Sequence, residues 1–175
     1  IKILQDVIQI NSVNGNEEEV ANYLRELLQE HDIEAKIIPY SEGRASLVAE
    51  IGNGNGPVIG FDGHEDTVSL GDESKWTHHP LSATVTEEGK MYGRGTTDMK
   101  SGLVAAVVAM INLKESGLPL NGTVRLLATV GEEKGELGAG QLAELGYADD
   151  MEALVVCEPT GGDFTTLQQM KGTFP

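Results

Sequence analysis

Four short polar clusters carry the residue types from which hydrolytic chemistry is built: His64-Glu65-Asp66, Asp98, Glu132-Glu133 and Glu158. Three of them follow directly on apolar runs, and Asp98 stands at the start of a long apolar stretch. Ligands in open α/β sheets bind beyond the carboxyl ends of the strands, so clusters placed there can converge. If they do, Asp66, Asp98, Glu132, Glu133 and Glu158 bring five carboxylates into one cleft. Like charges a few ångströms apart cannot all stay ionised without cations between them. Two divalent ions would balance three of these carboxylates and a hydroxide. Taken singly, each cluster has a plainer reading, because a lone histidine or aspartate at a strand end is most often a hydrogen-bonded turn residue. A Glu-Glu pair is most often solvated surface. Glu132-Glu133, however, directly follows the apolar run VRLLATV, where two consecutive acids would face a partly buried cleft at a desolvation cost.

The elements that must position these residues are written in the periodicity. After Asn16, the segment EEEVANYLRELLQEHD sets Val20, Tyr23, Leu24, Leu27 and Leu28 on one helical face, with Asn16 and Glu19 spaced as a capping box. Residues 33–39 and 45–51 read as strands, and Gly52 to Gly56 as a tight hairpin turn between strands. Residues 57–61 have the short apolar run of a buried central strand, followed by loop to about Pro80. A second hairpin is expected around residues 87–90. A long helix is expected over residues 100–115, stopped by Gly117 and Pro119. Strands over 123–130 and 153–157 bracket a helix over 139–145. This alternation predicts an α/β sandwich with a mostly parallel or mixed central sheet flanked by helices.

A chain of 175 residues suits one domain and can bury a core without disulfides. The net charge of −16 repels phosphate backbones and anionic lipid, so neither nucleic acid nor membrane is expected as a partner. Cys157 is the lone cysteine and cannot form an internal bridge, and the first ten residues lack the pattern of a signal peptide, so a cytoplasmic protein is expected. Cys157 lies in an apolar strand without a basic neighbour and reads as inert. His78 and His79 are adjacent in a loop and point opposite ways, so they are not read as metal ligands. His31 ends a surface helix and reads as solvated. No catalytic role is read into Arg94 or Lys100.

Five motifs in order give a stronger signal: GHEDT at 63–67, the tryptophan and proline of KWTHHPL at 75–81, YGRGTTDMKSG at 92–102, ATVGEEKGELGA at 128–139 and VVCEPTG at 155–161. Across nearly the whole chain the sequence resembles the zinc metallopeptidase family of acetylornithine deacetylase, succinyl-diaminopimelate desuccinylase, aminoacylase and glutamate carboxypeptidase. The resemblance implies two zinc ions, with cobalt or manganese as substitutes. It implies that His64 and Glu158 bind one ion, Glu133 the other, and that Asp98 bridges them. Asp66 would be the partner that fixes the imidazole, and Glu132 the general base. Gly93 and Gly95 would let the backbone bring Asp98 to the metals, with a cis peptide after this aspartate.

In the family a further histidine ligand lies near the carboxyl terminus, and a separate lid domain mediates dimerisation. Residues 1–175 are accordingly expected to be the N-terminal part of the catalytic domain, with the lid and the C-terminal catalytic segment absent. The full-length form is expected to be a homodimer. The implied reaction is cleavage of the amide bond of an N-acyl amino acid, of the desuccinylase or deacetylase type. A dipeptidase or other exopeptidase acting on a short peptide is the alternative hydrolase. A metal-binding module without catalysis is the alternative of another class, and the retained Glu132 argues against it, because a structural site needs no spare base.

Overall fold

The fold is described here from a computed structural model, over residues 1–161. Along the chain run helix α1 (Lys2–Gln9), helix α2 (Glu17–Glu30), strands β1 (Ala35–Ser41), β2 (Arg44–Gly52) and β3 (Val58–His64), then β4 (Thr84–Val85) and β5 (Met91–Tyr92). Helix α3 (Lys100–Glu115), strand β6 (Thr123–Thr129), helix α4 (Leu137–Glu144) and strand β7 (Met151–Val156) follow. The main sheet has the order β1-β2-β6-β3-β7, antiparallel from β1 to β6 and parallel from β6 to β7. It is the mixed sheet flanked by helices that the alternating pattern predicts. The hairpin expected around residues 87–90 is present as β4 and β5.

Three local expectations differ from the structure. Gly52 to Gly56 is not a hairpin turn, because β6 inserts between β2 and β3 and the segment must step past its end. Gly52 has φ +136°, and a Cβ there would meet Gly122 O at 2.2 Å, so glycine is needed for this crossing and not for a tight turn. The tight hairpin joins β1 to β2 through Glu42 and Gly43, with Gly43 at φ +70°. Asn16 does precede α2, but it sits at φ +63° and makes no side-chain cap. Its amide donates instead to the Glu19 carboxylate at 2.7 Å and to Asn11 O at 3.3 Å. Helix α1 has no counterpart among the elements expected from the sequence.

The core lies between one face of the sheet and helices α1, α2 and α3. Leu24 and Leu28 of α2, Leu103, Val107 and Met110 of α3, and Leu47, Leu126 and Ala128 of the strands are buried together there. Helix α3 is apolar on most sides because it lies between the sheet and α1. On the opposite face, Leu142 of α4 packs on Val48 and Leu127. Among the described residues no helix is long and apolar enough to cross a membrane.

Several charges are buried under the site. Glu17 is fully buried and takes a two-point contact from Arg44, with Nε at 2.9 Å and the terminal nitrogen at 2.6 Å. Lys100, at the first turn of α3, is 1% exposed, and its Nζ donates to the carbonyls of Val7 and Ile10 at 2.9 Å each. It thereby ties the end of α1 to the start of α3. Burial pulls the Lys100 ammonium down to about 8, although the nearby Glu65 and Asp66 charges oppose this.

Glu65 is fully buried, and neither carboxylate oxygen meets a hydrogen-bond partner among the described residues. Burial, with the charges of Glu17 and Asp66 added, pushes its carboxyl well above the ordinary range. A carboxyl whose folded-state pKa is raised adds stability below its unfolded value and loses that contribution as pH rises. Glu65→Gln keeps the shape and removes the ionisation. It is expected to stabilise the fold by about 1–3 kcal/mol at a pH of about 8 and by less near pH 4. Thermal unfolding at the two pH values checks this, and a Tm lowered at the higher pH would show that the Glu65 charge is compensated in the fold.

Candidate active site

Parallel pairing sets three of the four clusters at one end of the sheet. In β3 and β6, His64 stands level with Thr129, and in β3 and β7, Asp62 stands level with Val156. Continuing the second register by two residues sets Glu158 level with His64, and Cys157 N still donates to Asp62 O at 2.9 Å. Strand β6 leaves the sheet through Gly131, at φ +68°, into a short 3-10 turn that holds Glu132 and Glu133. Asp98 comes from the loop after β5. There Arg94 N donates to Pro80 O at 2.7 Å, Gly95 adopts φ +82°, and the Asp98–Met99 peptide is cis. Met99 is buried with its sulfur 3.2 Å from the His64 backbone nitrogen, so the Asp98 loop and β3 are locked together.

His64 is the hub. Its Nε2 lies 3.2 Å from Asp98 Oδ1, 3.5 Å from Glu158 Oε1 and 3.8 Å from Glu132 Oε2. Two groups have ligand-type atoms mutually within 4.8 Å: His64 with Asp98 and Glu133, and His64 with Glu132 and Glu158. The imidazole is 1% exposed, while the Asp98 side chain is 58% and that of Glu158 35% exposed, so the cleft has a buried floor and a wet mouth. On the far side of the ring, Nδ1 lies 2.9 Å from the Asp66 carbonyl oxygen and 3.3 Å from its carboxylate. The Asp66 carboxylate also accepts from Glu132 N at 3.1 Å and Glu133 N at 3.2 Å. One buried carboxylate therefore positions the imidazole and both glutamates.

The electrostatics are those of a cleft short of positive charge. Burial and the surrounding charges raise Glu158 to about 6, and His64 only partly offsets them. Burial first, then neighbouring carboxylates, raises Glu132 and Glu133 as well. For His64 burial works downward, but the hydrogen bond and charge of Asp66 and the charges of Glu158 and Glu132 outweigh it and lift the ring to about 9. Burial pushes Asp66 upward, yet its bonds to His64 and Glu132 N hold it below the ordinary value. One imidazole and several carboxylate oxygens, brought close together and partly withdrawn from water, form a donor set that fits divalent metal ions.

All six residues singled out by sequence come together here. His78 and His79 lie elsewhere: His78 packs against Tyr92 with the rings tilted by 56° and centroids 5.0 Å apart, and His79 Nε2 lies 3.3 Å from Glu73. Cys157 is half-buried with its thiol pushed up to about 11 by burial first, in keeping with an inert thiol. His31 differs from the solvated reading, since its Nδ1 pairs with Glu115 at 2.7 Å across the ends of α2 and α3. Sequence reasoning also missed Gly102. A Cβ there would lie 2.0 Å from Cys157 O, so this glycine lets the end of β7 pass against α3 and bring Glu158 in. A glycine inside an otherwise apolar helix was the available signal.

Residues 60–170 match Peptidase family M20/M25/M40. The chain belongs to this family. It is 48% identical over 161 residues to a probable succinyl-diaminopimelate desuccinylase of Staphylococcus aureus, a match spanning 92% of this chain and 40% of that protein. The chain thus spans about 40% of the length of that curated relative. Among solved structures it is similar to the M20 family metallo-carboxypeptidase Sso-CP2 of Sulfolobus solfataricus. The TM-score is 0.75 and the identity 25%, over 87% of this chain and 36% of that one. It also shares the fold of the Bacillus subtilis YXEP protein, described as a dinuclear metal binding peptidase. There the TM-score is 0.65 and the identity 23%, over 89% of this chain and 40% of that one.

A metal bound at His64 Nε2 must displace the proton held there. With the ring lifted to about 9, metal-free protein is expected to release about one proton for each ion taken up by His64 at pH 7, and metal affinity should rise with pH up to that value. Titration calorimetry in buffers of different ionisation enthalpy measures the release. Uptake without any release would mean that the imidazole is already neutral in the folded protein.

Proposed function

We propose that this chain is the metal-binding part of a two-zinc amidohydrolase that cleaves the amide bond of an N-acyl amino acid, of the desuccinylase or deacetylase type. The observation that carries the reading is the set of carboxylates from Asp98, Glu132, Glu133 and Glu158 gathered about His64 at the carboxyl end of three parallel strands. The 48% identity to a probable desuccinylase supports the acyl amino acid as substrate class. The likeness to a carboxypeptidase keeps peptide cleavage as the second reading. We read residues 1–175 as the N-terminal part of the catalytic domain, with the lid, the dimer contact and a further histidine ligand supplied by the rest of a longer protein.

His64, Asp98 and Glu158 would hold one ion, and Asp98 with Glu133 the other. When bound, two divalent ions bring the pKa of water from 15.7 to about 7 and polarise the scissile carbonyl. Asp66 keeps the imidazole oriented, with Nε2 turned into the cleft, and holds Glu132 and Glu133 through their backbone amides. Glu132 takes a proton from water as the water oxygen bonds to the acyl carbon. As the carbon–nitrogen bond breaks, Glu132 returns the proton to the leaving nitrogen, giving a carboxylate and an amine. Burial and the neighbouring acidic groups raise the Glu132 carboxyl, which suits a group that must both accept and return a proton.

In the full-length enzyme Glu132→Gln is expected to keep metal content and lower kcat by about 10²- to 10⁴-fold with little change in KM. Glu133→Gln is expected to lower metal occupancy. Metal analysis and steady-state rates on N-succinyl, N-acetyl and dipeptide substrates check both assignments and the substrate class together. A Glu132→Gln enzyme with full metal and near-normal turnover would remove Glu132 as the base, and dipeptides cleaved fastest would favour the peptidase reading.

A further inference from the structure

The turn that carries Glu132 and Glu133 is held by Asp66 through its amides, and a second support reaches it from the start of β2. Strand β2 runs antiparallel to β6, so its first residues lie at the end of the sheet where β6 leaves for the turn. Leu47 pairs with Ala128, and continuing that register sets Arg44 level with Gly131. Arg44 and Ser46 alternate along the strand and therefore face the same side. Ser46 is fully buried, and its Oγ accepts from Val130 N at 3.1 Å, immediately before Gly131. A Cβ on Gly131 would stand 2.8 Å from Arg44 Nη2, and one on Gly138 would stand 2.7 Å from Ser46 Oγ. The guanidinium thus closes on Gly131 from the side where a side chain would have stood, and the hydroxyl does the same at Gly138. Leu137 N donates to Gly131 O at 3.2 Å and Gly138 N to Val130 O at 2.7 Å, which ties the start of α4 to the same two residues.

The guanidinium is itself anchored. Its Nε and Nη2 donate to the two oxygens of Glu17, which is fully buried in the first turn of α2, and its carbon stands 5.8 Å from the centre of the Tyr40 ring. A planar group fixed at two points is a rigid seat for the chain that crosses it. Rigidity matters here because a general base must sit within hydrogen-bond reach of the proton it takes, and a misplacement of about 1 Å can cost a factor of about 100. We propose that Arg44 and Ser46 are positioning residues for the reaction, setting through Gly131 and Val130 the turn from which Glu132 acts as base. This rests on the hydrolase reading above and adds to it a support formed by none of the six site residues.

The test uses the full-length enzyme in excess zinc, on whichever of the N-succinyl, N-acetyl and dipeptide substrates it cleaves. Arg44→Lys keeps a charge for Glu17 and loses the planar fork that reaches Gly131. It is expected to lower kcat by about 10- to 100-fold while KM changes by less than about twofold. Arg125→Lys is the control: Arg125 stands earlier in β6 and also pairs with carboxylates, those of Glu50 and Asp150, so this change should lower Tm and leave kcat as it was. Because the effect passes through Glu132, Arg44→Lys made in a Glu132→Gln enzyme should alter the residual kcat by less than about twofold. Ser46→Ala, which takes the acceptor from Val130 N, should show the same pattern at smaller size, and it decides should Arg44→Lys fail to fold. A lowered Tm with unchanged kcat, a kcat loss that further zinc restores, or a loss of full size in the Glu132→Gln background would each overturn the proposal. A natural enzyme that cleaves none of these substrates sinks the hydrolase reading instead, and the proposal with it, a result distinct from any effect of Arg44.

Discussion

The crowding of carboxylates around the single imidazole of His64 is the constraint on which this structure turns. Asp98, Glu132 and Glu158 all reach Nε2 within 3.8 Å, and Asp66 closes on the other ring nitrogen. Such an arrangement opposes folding, because each added charge raises the cost of ionising the next. For His64, Glu132 and Glu158 it persists because the backbone leaves them no choice: β3, β6 and β7 run parallel, and the chain carries these residues out at the carboxyl ends of the strands. The raised carboxyls of Glu132, Glu133 and Glu158 follow from this arrangement, with burial as the first cause and the neighbouring carboxylates adding to it.

Asp66 shows how little material is needed to organise the cleft. It is buried, and burial by itself would neutralise it, yet its bonds to His64 and the Glu132 amide keep it ionised. Two backbone N–H groups and one imidazole share a single carboxylate. Because the contacts run to backbone amides, the positions of Glu132 and Glu133 do not depend on their own side-chain rotamers. Asp98 is held by different means, through the buried Met99 sulfur beside His64 and the glycines that let its loop pass closely against Pro80 and Lys100. Two independent supports thus meet at the same ring.

Beneath the cleft the buried charges divide into compensated and uncompensated. Glu17 and Arg44 satisfy one another through two hydrogen bonds, and Lys100 spends its ammonium on the open carbonyls at the end of α1. Glu65 has neither arrangement, and burial pushes its carboxyl well above the ordinary range at the expense of stability. It shares a tripeptide with His64 and Asp66, so its burial follows from theirs: the backbone that delivers the two neighbours inward carries Glu65 with them.

Much of this was legible in the sequence because it depends on local pattern. Helix α3 over residues 100–115 and the hairpin of β4 and β5 follow from periodicity and stop signals, and the four polar clusters stand out beside apolar runs and at a helix start, while the roles read for His64, Asp66, Asp98, Glu132, Glu133 and Glu158 come from the family resemblance. Family motifs added the cis peptide after Asp98. What the sequence could not determine is anything requiring a distant partner. The insertion of β6 between β2 and β3 turned an apparent hairpin at Gly52 into a crossing, since strand order is settled by which faces bury together and not by the turn residues. The lysine buried at Lys100, the unpartnered Glu65 and the Asp66 bonds to two amides likewise exist only once residues far apart in the chain meet. Residue type and spacing determined what chemistry this protein carries; tertiary packing alone decided which charges share a partner, because Coulomb energy and desolvation depend on distance and burial, and neither is written along the chain.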